Sequence, residues 1–309
     1  DPTPLRQLGL GRALLRRADL ADANAALKAA LTGLITGGDG HNAAHAAMDI
    51  AETYIQMGRF DAAAEWFRRS ADYLDPQDEP GHYAAAQFFL DLSPLFGTVA
   101  PGEIEARLAE ADRLAREHPQ PSMNARVYFA LGNQLAERGD LAHARVAYER
   151  AIAQAHVGGD DYHEVLALNN AAYHALLDGD RVAAHEHVAR ALALAEARAL
   201  RLPLQHLYST QGEIALAEEH WDEAEGWFGL GLAEAERNGN RREMGNYHAN
   251  LALAARGRGD LTRAQRLLEE ARTLVADSAD KYLQIKTDLW LAQVRLEGGD
   301  RAAAGETLA

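Results

Sequence analysis

The sequence contains no cysteine, and long hydrophobic runs are missing as well. Without cysteine the chain can form no disulfide and no thiolate metal site, which is consistent with a cytoplasmic location. No stretch approaches the roughly 18 apolar residues that a membrane-spanning helix needs, and the start lacks a signal-peptide pattern. We therefore expect a cytoplasmic protein that does not contact a membrane.

Clusters of basic residues are also absent. The chain has 46 acidic and 31 basic residues, a net charge of −15, and no run of lysine or arginine. Nucleic-acid affinity comes largely from clustered basic side chains, so we expect no nucleic-acid partner. Lysine occurs only at Lys28, Lys281 and Lys286, and alanine is abundant, which is typical of a GC-rich bacterial genome.

Serine is rare, and no catalytic motif contains it. Nucleophilic catalysis needs an activated serine or cysteine in a strained site that excludes water. No serine lies in a Gly-x-Ser-x-Gly context. We therefore expect that the protein is not an enzyme and uses no cofactor. The serines are Ser70, Ser93, Ser122, Ser209 and Ser278.

The segment 126–155 reads as two amphipathic helices joined by a tight turn. Apolar residues recur at helical spacing on both sides of a break at Gly139. Glycine enters the left-handed conformation at a helix end without steric cost, and Asp140 can accept from the first free amides of the next helix. The small Gly132 lets the two backbones approach closely, and Tyr148 fills the space above them.

This helix-turn-helix unit recurs along the chain. From position 139 onward, each predicted turn follows the previous one by 40 residues. A small residue of each second helix keeps the same register in seven of the units. The turns are predicted near 18, 58, 99, 139, 179, 219, 259 and 299. The small residues are Ala23, Ala63, Ala144, Ala184, Ala224, Ala264 and Ala304.

The spacing Tyr-x-x-Leu-Gly, then Gly-Asp-Leu, Ala144, Tyr148 and Ala151 resembles the tetratricopeptide repeat. The familiar repeat is about 34 residues long, so the longer period resembles the long-repeat branch. That branch includes kinesin light chains, the Rap-type peptide-sensing regulators and the repeat domain of the maltotriose-responsive bacterial transcription activator. The resemblance implies an all-α, α-α superhelix: a solenoid of seven to eight helix-turn-helix repeats in one domain over 1–309.

Three places depart from the pattern. The third repeat, 82–118, is predicted to be distorted, because Pro94 lies inside its first helix and should kink it. At the sixth turn Glu219 replaces glycine, so either the turn adapts or the packing of Trp221 compensates. The eighth repeat stops mid-pattern at Ala309, so we expect the chain to be a fragment of a longer protein.

The resemblance also implies a ligand groove lined by the first helix of each repeat. Asn170-Ala171-Ala172 and Asn250-Leu251-Ala252 resemble the Asn-Leu-Ala of long-repeat members, in which that asparagine grips the backbone of a bound peptide. The alternative is that each asparagine bonds a neighbouring helix. The positions that match inward-facing ones are His45, Asp49, Arg126, Asn133, Asn170, Tyr173, His206, Thr210, Glu213, Asn246, Asn250 and Arg256.

The sequence leaves three functions open. The first is a protein- or peptide-binding module that serves as the sensory or scaffolding part of a bacterial signalling or transcription regulator. The second is a sensor of a sugar or metabolite, and the third is self-association through the C-terminal repeat. His41, His45 and Asp49 have a spacing that could ligate a metal, but a polar groove wall is the preferred interpretation, and we expect no metal site.

Overall fold

The computed structural model describes most of the chain as α-helix. Within the described part there are fifteen helices and no strand, and none of these helices is long and apolar enough to cross a bilayer. The predicted kink at Pro94 and the predicted turns at Gly58 and Val99 lie outside the described residues. The described residues are 3–57, 59–77, 83, 86–87, 104–237, 239–276 and 281–308.

The chain divides into two compact units, Asp1–Pro203 and Leu204–Ala309. The prediction of one continuous domain over 1–309 stays a prediction. The described helices of unit 1 are α1 (Pro4–Arg16), α2 (Leu20–Thr36), α3 (Gly40–Gln56), α4 (Phe60–Asp72), α5 (Ile104–Glu117), α6 (Pro121–Glu137), α7 (Leu141–Gly158), α8 (Asp161–Leu177) and α9 (Arg181–Ala197). Those of unit 2 are α10 (Leu204–Ala217), α11 (Trp221–Arg237), α12 (Arg241–Gly257), α13 (Leu261–Val275), α14 (Lys281–Glu297) and α15 (Arg301–Leu308).

Most of these helices form hairpins with one helix before the turn and one after it. The first helices are α1, α3, α6 and α8 in unit 1 and α10, α12 and α14 in unit 2. Each of these except α14 packs most extensively against the second helix that follows it, and the second helices α2, α7, α11 and α13 also pack against the first helix of the next hairpin. The repeat arrangement predicted from the 40-residue period is confirmed.

The hairpin turns adopt the left-handed conformation that the sequence predicts. Gly139 has φ 79°, and the amide of Asp140 donates to the carbonyl of Leu135 at 3.0 Å, which closes the end of α6. Asp140 then accepts from the amide of His143 at 3.3 Å, which caps α7. The other predicted turn residues in the left-handed region are Ala18, Gly179, Glu219, Gly259 and Gly299.

The sixth turn does not change shape to accommodate its glutamate. Glu219 has φ 61° and keeps the same hydrogen bonds as the glycine turns, with the amide of His220 donating to the carbonyl of Ala215 at 2.9 Å. The indole of Trp221 lies against Gly257, where a Cβ atom would approach the ring to 2.6 Å. The turn therefore keeps its left-handed conformation at the strained Glu219, and Trp221 packs against Gly257.

The contact inside two of the hairpins pairs a glycine of the first helix with a large ring of the second. A Cβ atom on Gly132 would lie 2.6 Å from the ring of Tyr148, so only glycine fits there. Eighty residues later, at the same register, a Cβ atom on Gly212 would overlap the ring of Phe228. Both rings are fully buried. This confirms that a small residue in the first helix admits a large side chain from the second.

We predict that Gly212→Ala lowers the free energy of unfolding by about 1–3 kcal/mol, because the added methyl group must displace the buried ring of Phe228. Gly229→Ala is the matched control in the same unit, since the space beside Gly229 is open. It should raise the free energy of unfolding by about 0.5–1 kcal/mol through helix propensity. Urea denaturation of both variants makes the comparison; equal effects would contradict the packing assignment.

We predict that Glu219→Gly raises the free energy of unfolding by about 0.5–1 kcal/mol. A left-handed non-glycine residue costs about 1–2 kcal/mol, and part of this gain is lost to the greater flexibility of glycine in the unfolded chain. Glu186→Gly, at an exposed position inside α9, should instead lose about 1 kcal/mol. A lower urea midpoint for Glu219→Gly would show that the glutamate side chain makes a stabilising contact that outweighs the strain.

Candidate functional site

The first helices of unit 1 converge on a polar cavity of about 300 Å³. Helices α1, α3 and α6 contribute side chains from their inner faces, and the junction between α7 and α8 closes one side. The described residues that line the cavity are Arg12, Leu15, Arg16, His41, Asn42, His45, Asp49, Ser122, Arg126, Gly158, Gly159, Asp160, Tyr162 and His163.

Asp49 is the central charged group of this cavity. One of its carboxylate oxygens accepts from Nε of Arg12 at 2.6 Å, and the other accepts from Nη2 of Arg126 at 3.3 Å. Asp49 is only 5% exposed. Burial by itself would raise the pKa of Asp49, but the two guanidinium groups more than offset this and hold that pKa below its usual value. The carboxylate therefore stays ionised and joins three helices.

Two histidines precede Asp49 on the same face of α3. The spacing of four residues between His41, His45 and Asp49 places them on successive turns, and the two imidazole rings meet edge to face at 4.9 Å. Both carboxylate oxygens of Asp49 already pair with arginines. No group of three His, Cys, Asp or Glu side chains in the described residues is placed to hold a metal ion.

Asp160 forms the opposite wall of the cavity. It caps α8 by accepting from the amide of His163 at 3.2 Å, and its other oxygen lies 2.8 Å from Nδ1 of His163. Burial opposes ionisation of Asp160, but the charge and hydrogen bonds of His163, together with Arg126, hold its pKa well below the usual value. The cavity therefore contains a second fixed negative charge.

Tyr162, the neighbour of His163, is buried and donates to Oε1 of Glu52 at 3.0 Å. Burial and the nearby Glu52 carboxylate raise the pKa of Tyr162 well above its usual value. The phenol therefore keeps its proton and ties α8 to α3.

A contact between the first and fifth repeats lies next to the cavity, at Arg16. The carbonyl of Arg16, at the end of α1, accepts from the amides of Arg201 at 2.8 Å and Leu202 at 3.2 Å. Leu15 of α1 also joins a buried apolar cluster with Tyr162 and Leu202. These contacts hold α1 against the start of α8, within unit 1.

The predicted groove residues of unit 1 fall into two groups. His45, Asp49 and Arg126 line the cavity. Asn133, Asn170 and Tyr173 do not line it. The carbonyl oxygen of the Asn133 side chain accepts from Nδ2 of Asn170 at 2.8 Å and from the Tyr148 hydroxyl at 2.9 Å, so Asn170 bonds a neighbouring helix. Tyr173 is half-buried, with its ring edge-on to His174.

Three predicted groove residues of unit 2 form a polar row. Asn246 accepts from Nζ of Lys286 at 2.9 Å. Glu213 accepts from Ser209 at 3.2 Å, and burial raises the pKa of Glu213 although Lys286 acts in the opposite direction. His206, which precedes Glu213 on α10, is half-buried.

The other three are buried or already paired. Thr210 and Asn250 are buried, and Nδ2 of Asn250 has no acceptor among the described residues. Arg256 pairs with Glu297 at 2.6 Å.

Sequence reasoning missed Arg12, Arg16, Asp160 and His163. Arg12 stands six residues before its turn, the register that Asn133 occupies in the fourth repeat, so the period alone could have indicated it. Asp160 and His163 lie at the junction between two repeats, and no repeated position marks that junction as part of a site.

Comparison with known proteins identifies the repeat. A tetratricopeptide-repeat sequence model matches residues 44–78. No curated protein sequence matches the chain.

Three solved structures are similar over most of the chain. One is a signal transduction ATPase with numerous domains, carrying a tetratricopeptide repeat sensor, from Pyrococcus horikoshii; it has a TM-score of 0.61 at 17% identity over 98% of this chain. The chain spans 45% of that protein's length. The apo form of RapI has a TM-score of 0.61 at 14% identity, over 85% of this chain and 74% of RapI.

A Rap protein complexed with competence and sporulation factor has a TM-score of 0.51 at 12% identity, covering 97% of this chain and 100% of the Rap chain. At these identities the likeness concerns the fold. Such a fold is generally a non-catalytic interaction scaffold, and no enzyme family is indicated. The matched repeat and the three structures show that this protein is built from tetratricopeptide-like repeats.

Proposed function

We propose that the protein is a non-enzymatic binding module that holds a segment of another polypeptide against the first helices of unit 1. In this proposal it is the sensory or scaffolding part of a larger bacterial regulator in the cytoplasm. The observation that carries the proposal is the convergence of α1, α3, α6 and the start of α8 on one polar cavity. The similar structure of a Rap protein complexed with competence and sporulation factor supports it.

The side chains around the cavity suit a polypeptide ligand. An extended segment presents amide donors and carbonyl acceptors together, so a receptor needs both kinds of group. Arg12 and Arg126 supply donors at the cavity, and the side chains of Asn133 and Asn170 supply amide groups on the adjoining helices. Of the groove residues predicted in unit 1, His45, Asp49 and Arg126 line this cavity, and in this proposal Asn133, Asn170 and Tyr173 extend the binding surface along α6 and α8.

A sensor of a small molecule is the second candidate. The cavity volume of about 300 Å³ lies at the lower end of the range typical of ligand pockets. A sugar is usually held against an exposed aromatic face, however, and Tyr162 is buried while Tyr173 does not line the cavity. The geometry therefore favours the polypeptide.

Self-association through the C-terminal repeat is a third candidate with one observation behind it. Tyr282, Ile285 and Leu289 are all more than half exposed and follow one another at helical spacing along α14. They form an exposed apolar stripe in unit 2.

The test is selection of a displayed random-peptide library on the protein, followed by calorimetric titration of the recovered peptides. We expect Asn170→Ala combined with Tyr173→Ala to weaken binding at least about tenfold, because each change removes a hydrogen-bonding group from α8. The fold should survive, since the Tyr148 hydroxyl still donates to Asn133. Asn250 is unsuitable for this test because it is buried.

Arg145→Ala, on the exposed side of the second helix α7, is the control and should leave the affinity unchanged. Melting curves of all variants separate loss of binding from loss of folding. Peptides that bind the α8 variant as tightly as the wild type would overturn the assignment to the first helices of unit 1.

A further inference from the structure

The cavity of unit 1 carries more positive than negative charge, in a chain whose net charge is −15. Three arginines line it, Arg12, Arg16 and Arg126, against the two carboxylates of Asp49 and Asp160. Counting the arginines and the carboxylates alone, three minus two leaves one positive charge. The cavity is therefore suited to an anion although the protein as a whole is acidic.

The two carboxylates of the cavity already accept hydrogen bonds, whereas one guanidinium donor has no acceptor among the described residues. Asp49 accepts from two arginines, and Asp160 accepts from His163. A guanidinium carries five N–H donors. Nε of Arg126 is buried and has no acceptor among the described residues. A ligand that brings acceptors would satisfy donors that the protein itself leaves unsatisfied.

Arg16 adds a donor at the rim. The contact that joins the first repeat to the fifth is made by its backbone carbonyl and not by its guanidinium. The side chain is exposed and borders the cavity. It can therefore reach a ligand without breaking a contact of the fold.

We infer that the cavity binds a carboxylate group of the ligand between Arg126, Arg12 and Arg16. Carboxylate and phosphate both match the fork of a guanidinium. A carboxylate carries a single negative charge, whereas a phosphate carries about −1.5 to −2 at neutral pH and would be repelled more strongly by Asp49 and Asp160. That the ligand is a polypeptide rests on the proposed function. The carboxylate is then its C-terminus or an acidic side chain.

The test titrates the whole chain with minimal probes while the Nε–Hε resonances of its arginines are observed by NMR. N-acetylglycine represents a C-terminal carboxylate, and N-acetylglutamic acid amidated at its α-carboxyl represents an acidic side chain. N-acetylglycinamide is the neutral counterpart, and inorganic phosphate at equal ionic strength is the competing anion. We expect saturable shifts of the Arg126 resonance with one or both carboxylates, and the tighter of the two identifies the source.

Arg126→Gln should weaken carboxylate binding at least about tenfold, as expected for loss of a charge-assisted hydrogen bond in a partly buried site. Arg16→Gln should weaken carboxylate binding about threefold. Because the side chain of Arg16 is exposed, this variant should fold even if Arg126→Gln does not. Arg145→Gln makes the same charge change on an exposed face of α7 and should have no effect.

Three results would overturn the inference: equal binding of N-acetylglycinamide, tighter binding of phosphate, or the same loss in the Arg145 variant. The outcome is separable from that of the proposed function. If selected peptides ignore the α8 substitutions while N-acetylglycine still shifts Arg126, the carboxylate site stands and the polypeptide proposal falls. If the α8 substitutions weaken peptide binding but no carboxylate shifts the Arg126 resonance, the polypeptide proposal stands and the carboxylate site falls.

Discussion

The structure depends on one backbone constraint that is repeated at the hairpin turns. In the six described turns a single left-handed residue reverses the chain between two helices, and the following amide closes the end of the first helix. So short a connection forces the two helices to pack against each other directly. Close packing then requires a small residue opposite a large one, as at Gly132 and Tyr148. The positions of the inner faces of successive first helices follow from these two requirements.

The sequence could predict the features that depend on this local constraint. Turn positions followed from the period even at Ala18 and Glu219, where glycine is missing, because their neighbours repeat the register. The inward orientation of Asp49 and Arg126 followed in the same way. Their pairing did not, because it joins positions 77 residues apart and depends on small rotations that accumulate from repeat to repeat. The contact of Arg16 with Arg201 was beyond prediction for the same reason.

Asn170 shows a different limit of sequence reasoning. An amide on the inner face of a first helix can hold a ligand backbone or bond the next helix, and the local pattern is the same for both. In the structure Asn170 donates to Asn133, which also accepts from Tyr148. An amide has several donor and acceptor sites, so this bond leaves Asn170 able to contact a ligand as well. The spacing is the same for both roles, so a measured ligand affinity is needed to distinguish them.

The ion pairs at Asp49 link the stability of unit 1 to the chemistry of its cavity. The buried carboxylate joins α1 and α6 across α3, and either arginine alone would leave less compensation for a charge that is 5% exposed. Because these bonds fix the arginines before any ligand arrives, little conformational freedom is lost on binding. Nε of Arg126 is buried and has no acceptor in the part of the chain that the structure describes. The contact that holds the first, second and fourth repeats together therefore also positions the arginines for the carboxylate that we infer.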